Sequence, residues 1–564
     1  MINEATKTDR AAASAETPGA TLSWNHLFLA FTGLFLLNLL LRVFYLRYNF
    51  VSGDEAVRAI TASEMLAGAR LYADIVTDKP PGTTLFYAGV FALFGRSMTA
   101  AHLAAAVWNF ATSIVIYLAA ARFHSKRAGL WAALLFVYFS TNYFTHDMMA
   151  ANTELLMALP YTASFYFFMR AGDSEHSRWP LVVAGLLSGV ALLFKQVAVF
   201  NLLFFALYEA LAVYTKSRTA RRSELLSAAR HALIRLLLIG LGFLIAPALC
   251  ALWLAATDAL ADFWRYAVVL GGFYVRALST EMWLRFMVGR TLGYVAFNAA
   301  LWALALWSAA GAVRQFNRDR QGKQDISSDV AVALWGAASF AAVFTSGRFF
   351  GHYFIQVLPA LSLLGARGIA LLGGRLRDPA RRRKARFVAT ALLVLFLFGF
   401  VRFHNRTAVL AYETITGKTT RFSQSWGMSQ REREAALVAA ALRERVGAGE
   451  PLYIWGYALD VYWLTGCRPA TRYLAPYYVT GLFPEHEGGP LPPDNDFWRE
   501  SRALLIEDLK RARPPVILDV YGGLRSLPYP ELTRFIRKNY REDGRIGPYP
   551  ERPFIVFRLK DGQQ

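Results

Sequence analysis

Apolar runs long enough to cross a bilayer recur along the whole chain, and they constrain its fold more than any motif does. "LFLAFTGLFLLNLLL" (27–41), "LLLIGLGFLIAPALCALWLAA" (236–256) and "FVATALLVLFLFGFV" (387–401) are three of them. A hydrocarbon layer of about 30 Å takes roughly 20 apolar residues as a helix, and a helix satisfies its own backbone there. Over 564 residues the hydrophobic share is 55% and the charged share only 18%. The class that fits is a polytopic α-helical membrane protein of about eleven transmembrane helices. Spans are expected near 25–46, 97–121, 128–143, 154–170, 180–194, 197–214, 233–256, 289–310, 329–346, 354–373 and 387–403.

Lys and Arg gather on the cytoplasmic side of membrane proteins, so the loops can be sorted by charge. Basic connections are 122–127, 170–178, 216–235, 314–323 and 375–386; acidic or mixed ones are 47–96, 141–154, 257–288 and 346–352. With eleven spans the two kinds alternate, provided the chain turns at Lys195-Gln196 between two short crossings. Residues 1–24 are then a cytoplasmic tail and 25–46 an uncleaved anchor. Residues 25–403 form the membrane domain with outer loops 47–96 and 257–288, and 404–564 lie outside as an extracytoplasmic domain. Helix-like and strand-like stretches alternate in that last part ("SQREREAALVAAALRERV", "PLYIWG", "DFWRESRALLIEDLKRAR", "PPVILDV"), which predicts a small α/β fold. Topology absorbs most of the net charge of +21, so no nucleic-acid partner is expected. Cys250 and Cys467 have neither a disulfide geometry nor zinc-like company to suggest.

Charged groups at membrane depth cost at least ~2.5 kcal/mol each, so those that persist tend to line a working cavity. On the expected outer side they are compact: Asp54, Glu55, Asp78 and Lys79 in the first loop, Asp147 and Glu154 in the second, then Lys195, Arg348 and His352. Carboxylates can accept a proton from a hydroxyl nucleophile, and Lys and Arg can hold a phosphate. Each also has a plainer reading: Asp54 as a helix cap, Lys195 as a snorkelling side chain, Arg348 and His352 as interface anchors.

The segment "GDEAVRAITASEMLAGARLYADIVTDKPPG" (53–82) carries Asp-Glu straight after the first span and then Lys-Pro-Pro. It resembles the polyprenyl-phosphate-sugar-dependent glycosyltransferases of the GT-C superfamily, in particular the protein O-mannosyltransferases and the lipid A aminoarabinose transferases. "GRFFGHYFIQVLPALSLL" and "YIWGYALDVYWLTGCRPATRY" are similar to segments of bacterial members. The resemblance implies a GT-C-like fold in a bacterial inner membrane, with the α/β domain periplasmic. It implies an inverting transfer of a hexosyl or pentosyl unit from a polyprenyl-phosphate donor to a glycan, lipid or protein acceptor, as in lipopolysaccharide or protein glycosylation. Asp54, with Glu55 beside it, takes the position of the catalytic base. Asp78, Pro80 and Pro81 belong to the loop that closes over the donor, and Lys79 meets its phosphate. Asp147 and Glu154 compete for the second acidic position, and Lys195, Arg348 and His352 are further donor-phosphate candidates. No cofactor is required by this reading; a divalent metal ion stays open, because His146, Asp147 and Glu154 have no recognised ligand spacing. The rival class is a polytopic transporter or a flippase for lipid-linked sugars. Against it stand the absence of an internal repeat and the crowding of polar residues at one leaflet.

Overall fold

The computed structural model of the chain describes residues 23–142, 149–172, 178–217, 221–318, 326–484, 492–521, 530–547 and 553–560. Helices dominate up to Thr416, and a five-stranded sheet with its own helices follows. Among the described residues six helices are long and apolar enough to cross a bilayer: Trp24–Arg42, Met98–Phe123, Gln196–Ser217 (opening on a 3-10 turn), Arg222–Ala256, Ser328–Ser346 and Arg382–Thr416. Seven meet that test if a bent pair counts as one span. Shorter or less apolar helices, Lys126–Phe139, Thr153–Arg170, Trp179–Phe194 and Leu358–Arg377, fill the remaining predicted positions.

Local chemistry explains where these helices stop and how closely they pack. Trp179–Phe194 ends at Lys195, whose backbone is extended (φ −155°, ψ 137°), and a 3-10 turn at Gln196–Val199 starts the next helix. The chain breaks at the predicted place. Trp179–Phe194 crosses Arg222–Ala256 backbone to backbone, because Gly185 and Gly189 lie against the main chain of Ile239 and Phe243 and Gly242 lies against Val182. One expectation fails in detail: the run at 289–310 is not one straight crossing. Thr280–Phe297 and Ala299–Arg318 meet at 92° around Asn298. The Asn298 side-chain amide donates to the Tyr294 carbonyl (2.9 Å), which the Asn298 main-chain N–H also bonds (3.2 Å).

Arg382–Thr416 runs 35 residues, past residue 404 where the outer part was expected to begin. Beyond it come β1 (Pro451–Trp455), β2 (Arg468–Pro469), β3 (Val516–Asp519), β4 (Tyr540–Ile546) and β5 (Phe554–Leu559). The order is β2-β1-β3-β5-β4; β1 pairs in parallel with β2 and β3, and β5 pairs antiparallel with β3 and β4. Alternating side chains serve two cores, as the period of a strand requires. Leu452 and Ile454 join Val438 and Leu442 of the Gly427–Arg443 helix, while Tyr453 and Trp455 join Trp498, Leu505 and Leu509 of Asp496–Ala512.

The loops 47–96 and 257–288 pack against this sheet part. Val76 of the first loop lies in the second of those cores, and its amide donates to the Arg472 carbonyl at 2.9 Å. Tyr266 of the 257–288 loop shares a hydroxyl hydrogen bond with Tyr473 (2.8 Å), and Arg265 donates to the Phe497 carbonyl (2.9 Å).

Candidate active site

The 47–96 loop gives its two adjacent carboxylates different surroundings. Ser52 caps the helix Gly53–Leu66, putting Asp54 and Glu55 in its first turn, where acids suit the helix dipole. Asp54 is exposed. Glu55 is fully buried: its oxygens accept from the amides of Val51 and Ala151, both at 2.7 Å, and one lies 3.0 Å from His102 Nε2. Glu55, expected beside Asp54 as a catalytic group, instead fastens the loop to its neighbours, because both of its oxygens are engaged inside the protein.

One helical turn after Asp54 comes Arg58. It is buried, and it bonds to Thr77 Oγ1 and to Asp78 at 3.4 Å. Burial opposes the Arg58 charge, but Asp78 and Asp54 outweigh it and raise its pKa. Asp78 in turn receives Lys79 Nζ at 2.5 Å. Burial would raise the Asp78 pKa, yet the charges of Lys79 and Arg58 hold it down at about 2. Asp54, Arg58, Asp78 and Lys79 therefore form an alternating row of charge.

Lys-Pro-Pro-Gly has a mechanical reason. Pro80 and Pro81 are buried, and Pro81 sits at the N-cap of Gly82–Phe94. A Cβ on Gly82 would stand 2.6 Å from the Leu193 carbonyl oxygen, so the loop touches the main chain just before Lys195. The contact brings Lys79 within electrostatic reach of Lys195, as Asp54 is too. Lys195 is buried, ion-paired with Glu154, and lies 3.6 Å over the Tyr353 ring. Glu154 is buried in the first turn of Thr153–Arg170; Thr153 donates to it at 2.7 Å and His352 Nε2 stands 3.8 Å away.

Arg348 completes the ring from the far side. It is fully buried and rests 3.3 Å over Tyr274, the same ring that Lys79 faces at 5.4 Å. Its segment turns sharply: Gly347 and Phe349 both have positive φ (69° and 49°), Gly347 because a side chain there would strike Trp283, Phe349 at a cost in backbone strain. Tyr353 is hydrogen-bonded to Tyr274, which joins the Lys195–Glu154 pair to the Lys79–Arg348 pair. Phe483 of the sheet-containing part lies 5.8 Å from Arg348, and Tyr477 and Tyr478 are within electrostatic reach of Asp78.

Seven of the residues singled out in the sequence, Asp54, Asp78, Lys79, Glu154, Lys195, Arg348 and His352, are thus linked pairwise by ion pairs, a shared aromatic ring or electrostatic reach, and Pro80 and Pro81 are buried next to Lys79. Asp147 and His146 lie outside the described residues. Arg58, Tyr274 and Tyr353 were missed. Arg58 was legible in principle, four residues after Asp54 on one helical face; the tyrosines had no signal that set them apart in an aromatic-rich chain. Among the described residues no group of three or more His, Cys, Asp and Glu side chains is arranged to hold a metal ion.

A family model described as dolichyl-phosphate-mannose-protein mannosyltransferase matches residues 78–240, starting at Asp78. No curated protein sequence matches the chain. Solved structures resemble it over nearly its full length. ArnT from Cupriavidus metallidurans in the apo state has a TM-score of 0.57 at 16% identity, covering 96% of this chain and 99% of that one. The same enzyme bound to undecaprenyl phosphate gives 0.54 at 14%, with the same coverage. The archaeal oligosaccharyltransferase AglB from Archaeoglobus fulgidus, in complex with an inhibitory peptide and a dolichol-phosphate, gives 0.52 at 12%, covering 96% and 75%. Over residues 78–240 the chain is thus similar to the dolichyl-phosphate-mannose-protein mannosyltransferases, and its fold resembles that of ArnT and AglB.

Proposed function

We propose that the chain transfers a sugar from a polyprenyl-phosphate donor to a hydroxyl acceptor at the outer face of the membrane, with inversion at the anomeric carbon. The observation that carries this reading is the convergence of four cations, Arg58, Lys79, Lys195 and Arg348, with three carboxylates, Asp54, Asp78 and Glu154, around one place. A lipid phosphate matches the surplus positive charge.

Asp54 is the exposed carboxylate of the set. It accepts the acceptor's hydroxyl proton as that oxygen attacks the anomeric carbon, from the face opposite the phosphate. The C–O bond to the phosphate breaks, and its electron pair leaves on the polyprenyl phosphate. Lys79 and Arg348, across the Tyr274 ring, stabilise that departing charge in a site partly shielded from water. Glu154 holds Lys195 in place, and His352 lies beside them. In this reading the membrane is the bacterial inner membrane, crossed eleven times, with the amino terminus cytoplasmic and the sheet domain periplasmic.

The test is mass analysis of surface glycans, lipids and glycoproteins from cells lacking the chain, complemented with the wild type or with Asp54→Asn. One sugar increment should vanish in the deletion, return with the wild type and stay absent with Asp54→Asn. An unchanged glycan profile in the deletion, or full restoration by Asp54→Asn, would remove the proposal.

A further inference from the structure

A cleft opens beside the chain that leads from the first helix to the Asp54 turn. It measures about 450 Å³, within the size range of small-ligand sites, and nothing in the transfer chemistry above uses it. Its walls are the chain leaving the first helix (Arg47, Tyr48, Asn49), the turn after Arg382–Thr416 (Gln424) and the outer-domain helix Gly427–Arg443 (Glu432, Arg433). Of the residues that line it, only Ala436 and Leu464 are apolar.

Three properties describe a ligand. The polar groups are held by one another: the Tyr48 hydroxyl pairs with Ser429 Oγ (2.8 Å), Glu432 accepts from Asn49 N (2.9 Å) and Nδ2 (3.1 Å), and Arg433 donates to the Gln424 carbonyl (2.7 Å). The lining is close to neutral, since Arg47 pairs with Glu413 at 3.0 Å and Glu432 stands with Arg433. The cleft is also tied to the site: Asn49 precedes Asp54 by five residues, at most roughly 17 Å of chain, and Glu55 pins Val51 between them.

Rigid amides, hydroxyls and paired charges around an aromatic hydroxyl are the chemistry that recognises neutral polyhydroxylated molecules. An extended peptide would want a free strand edge, and helix ends and turns build this cleft instead. Resting on the glycosyltransferase reading, we infer that the cleft holds a remote sugar residue of the acceptor, and that the acceptor is an oligosaccharide of more than one unit whose reactive hydroxyl reaches Asp54.

The test uses the full chain in nanodiscs. The probe is the lipid-free oligosaccharide fraction that mild acid releases from the source cell's surface glycans. Saturation-transfer NMR reads binding, and initial rates with the native donor read kcat and both KM values. Gln424 and Arg433 are exposed, so Gln424→Ala/Arg433→Ala leaves the fold intact. The double variant should lose saturation transfer and raise the acceptor KM about ten-fold, with kcat and donor KM unchanged. An unchanged acceptor KM, or a fall in kcat alone, would overturn the inference while the transferase reading stands. No transfer by the wild type to any cellular acceptor would instead sink the transferase reading itself.

Discussion

Gly82→Ala tests whether the Lys-Pro-Pro-Gly loop works by touching the end of the Trp179–Phe194 helix. An alanine Cβ at 82 would lie 2.6 Å from the Leu193 oxygen, 2.8 Å from its carbon and 3.1 Å from Phe194 N. All three are main-chain atoms, so no rotamer change relieves the clash. Moving from 2.6 Å to the 3.4 Å where ordinary contact begins needs a retreat of about 0.8 Å. The two prolines before Gly82 have fixed φ and pass that displacement on to Lys79, away from Lys195. Misplacement near 1 Å at a reacting centre costs on the order of 100-fold in rate, and overpacking costs about 1–3 kcal/mol of stability. Sugar transfer in proteoliposomes, normalised to monodisperse folded protein, should therefore fall about 10- to 100-fold, and the unfolding midpoint should drop. Gly89→Ala is the control, since a Cβ there meets nothing within 4 Å on the same helix. It should keep the rate and gain up to about 1 kcal/mol of helix propensity. Wild-type rate and midpoint in Gly82→Ala, or an equal loss in Gly89→Ala, would refute the reasoning.

The other expectations concern individual charges. Glu154→Gln leaves buried Lys195 without its counter-charge and should cost about 3–5 kcal/mol, whereas Glu154→Gln/Lys195→Met should recover part of it; equal midpoints for the single and double variants would show that the pair is not coupled. Glu55→Gln swaps an oxygen for an amide group facing the N–H donors of Val51 and Ala151. It should lower the unfolding temperature by the equivalent of about 1–3 kcal/mol, while the rate per folded molecule falls far less than with Asp54→Asn. The Asp78 pKa is depressed to about 2, so its stabilising contribution is complete above its unfolded value and is lost only as pH falls towards 2. Rate profiles between about pH 5 and 8 should accordingly show no inflection that Asp78→Asn removes.

Apolar runs and turn signals were enough to place most helices, because a lipid-facing helix advertises itself over about 20 residues. The strands β1 and β3 were legible for a similar reason, being short apolar runs bounded by Pro and Gly. The bend at Asn298 was not, since it falls inside an otherwise continuous apolar stretch and no Pro or Gly adjoins it. In the site, acids and bases stood out because the membrane makes them costly. Sequence position could not separate Asp54 from Glu55: adjacent residues on a helix point about 100° apart, and only the neighbours supplied by residues 102 and 151 decide which is buried. Tyr274 and Tyr353 became visible only when folding laid cations from distant segments over their rings.

The amide of Val76 finds its acceptor in Arg472, and Glu64 of the same loop binds Arg468 at 2.8 Å. The membrane half and the sheet half are for this reason not interchangeable modules. A chimera that grafts a relative's outer domain onto this chain would strip two fastenings from the stretch that carries Asp78 and Lys79. Swapping the 47–96 loop together with the domain keeps each set of partners with its own.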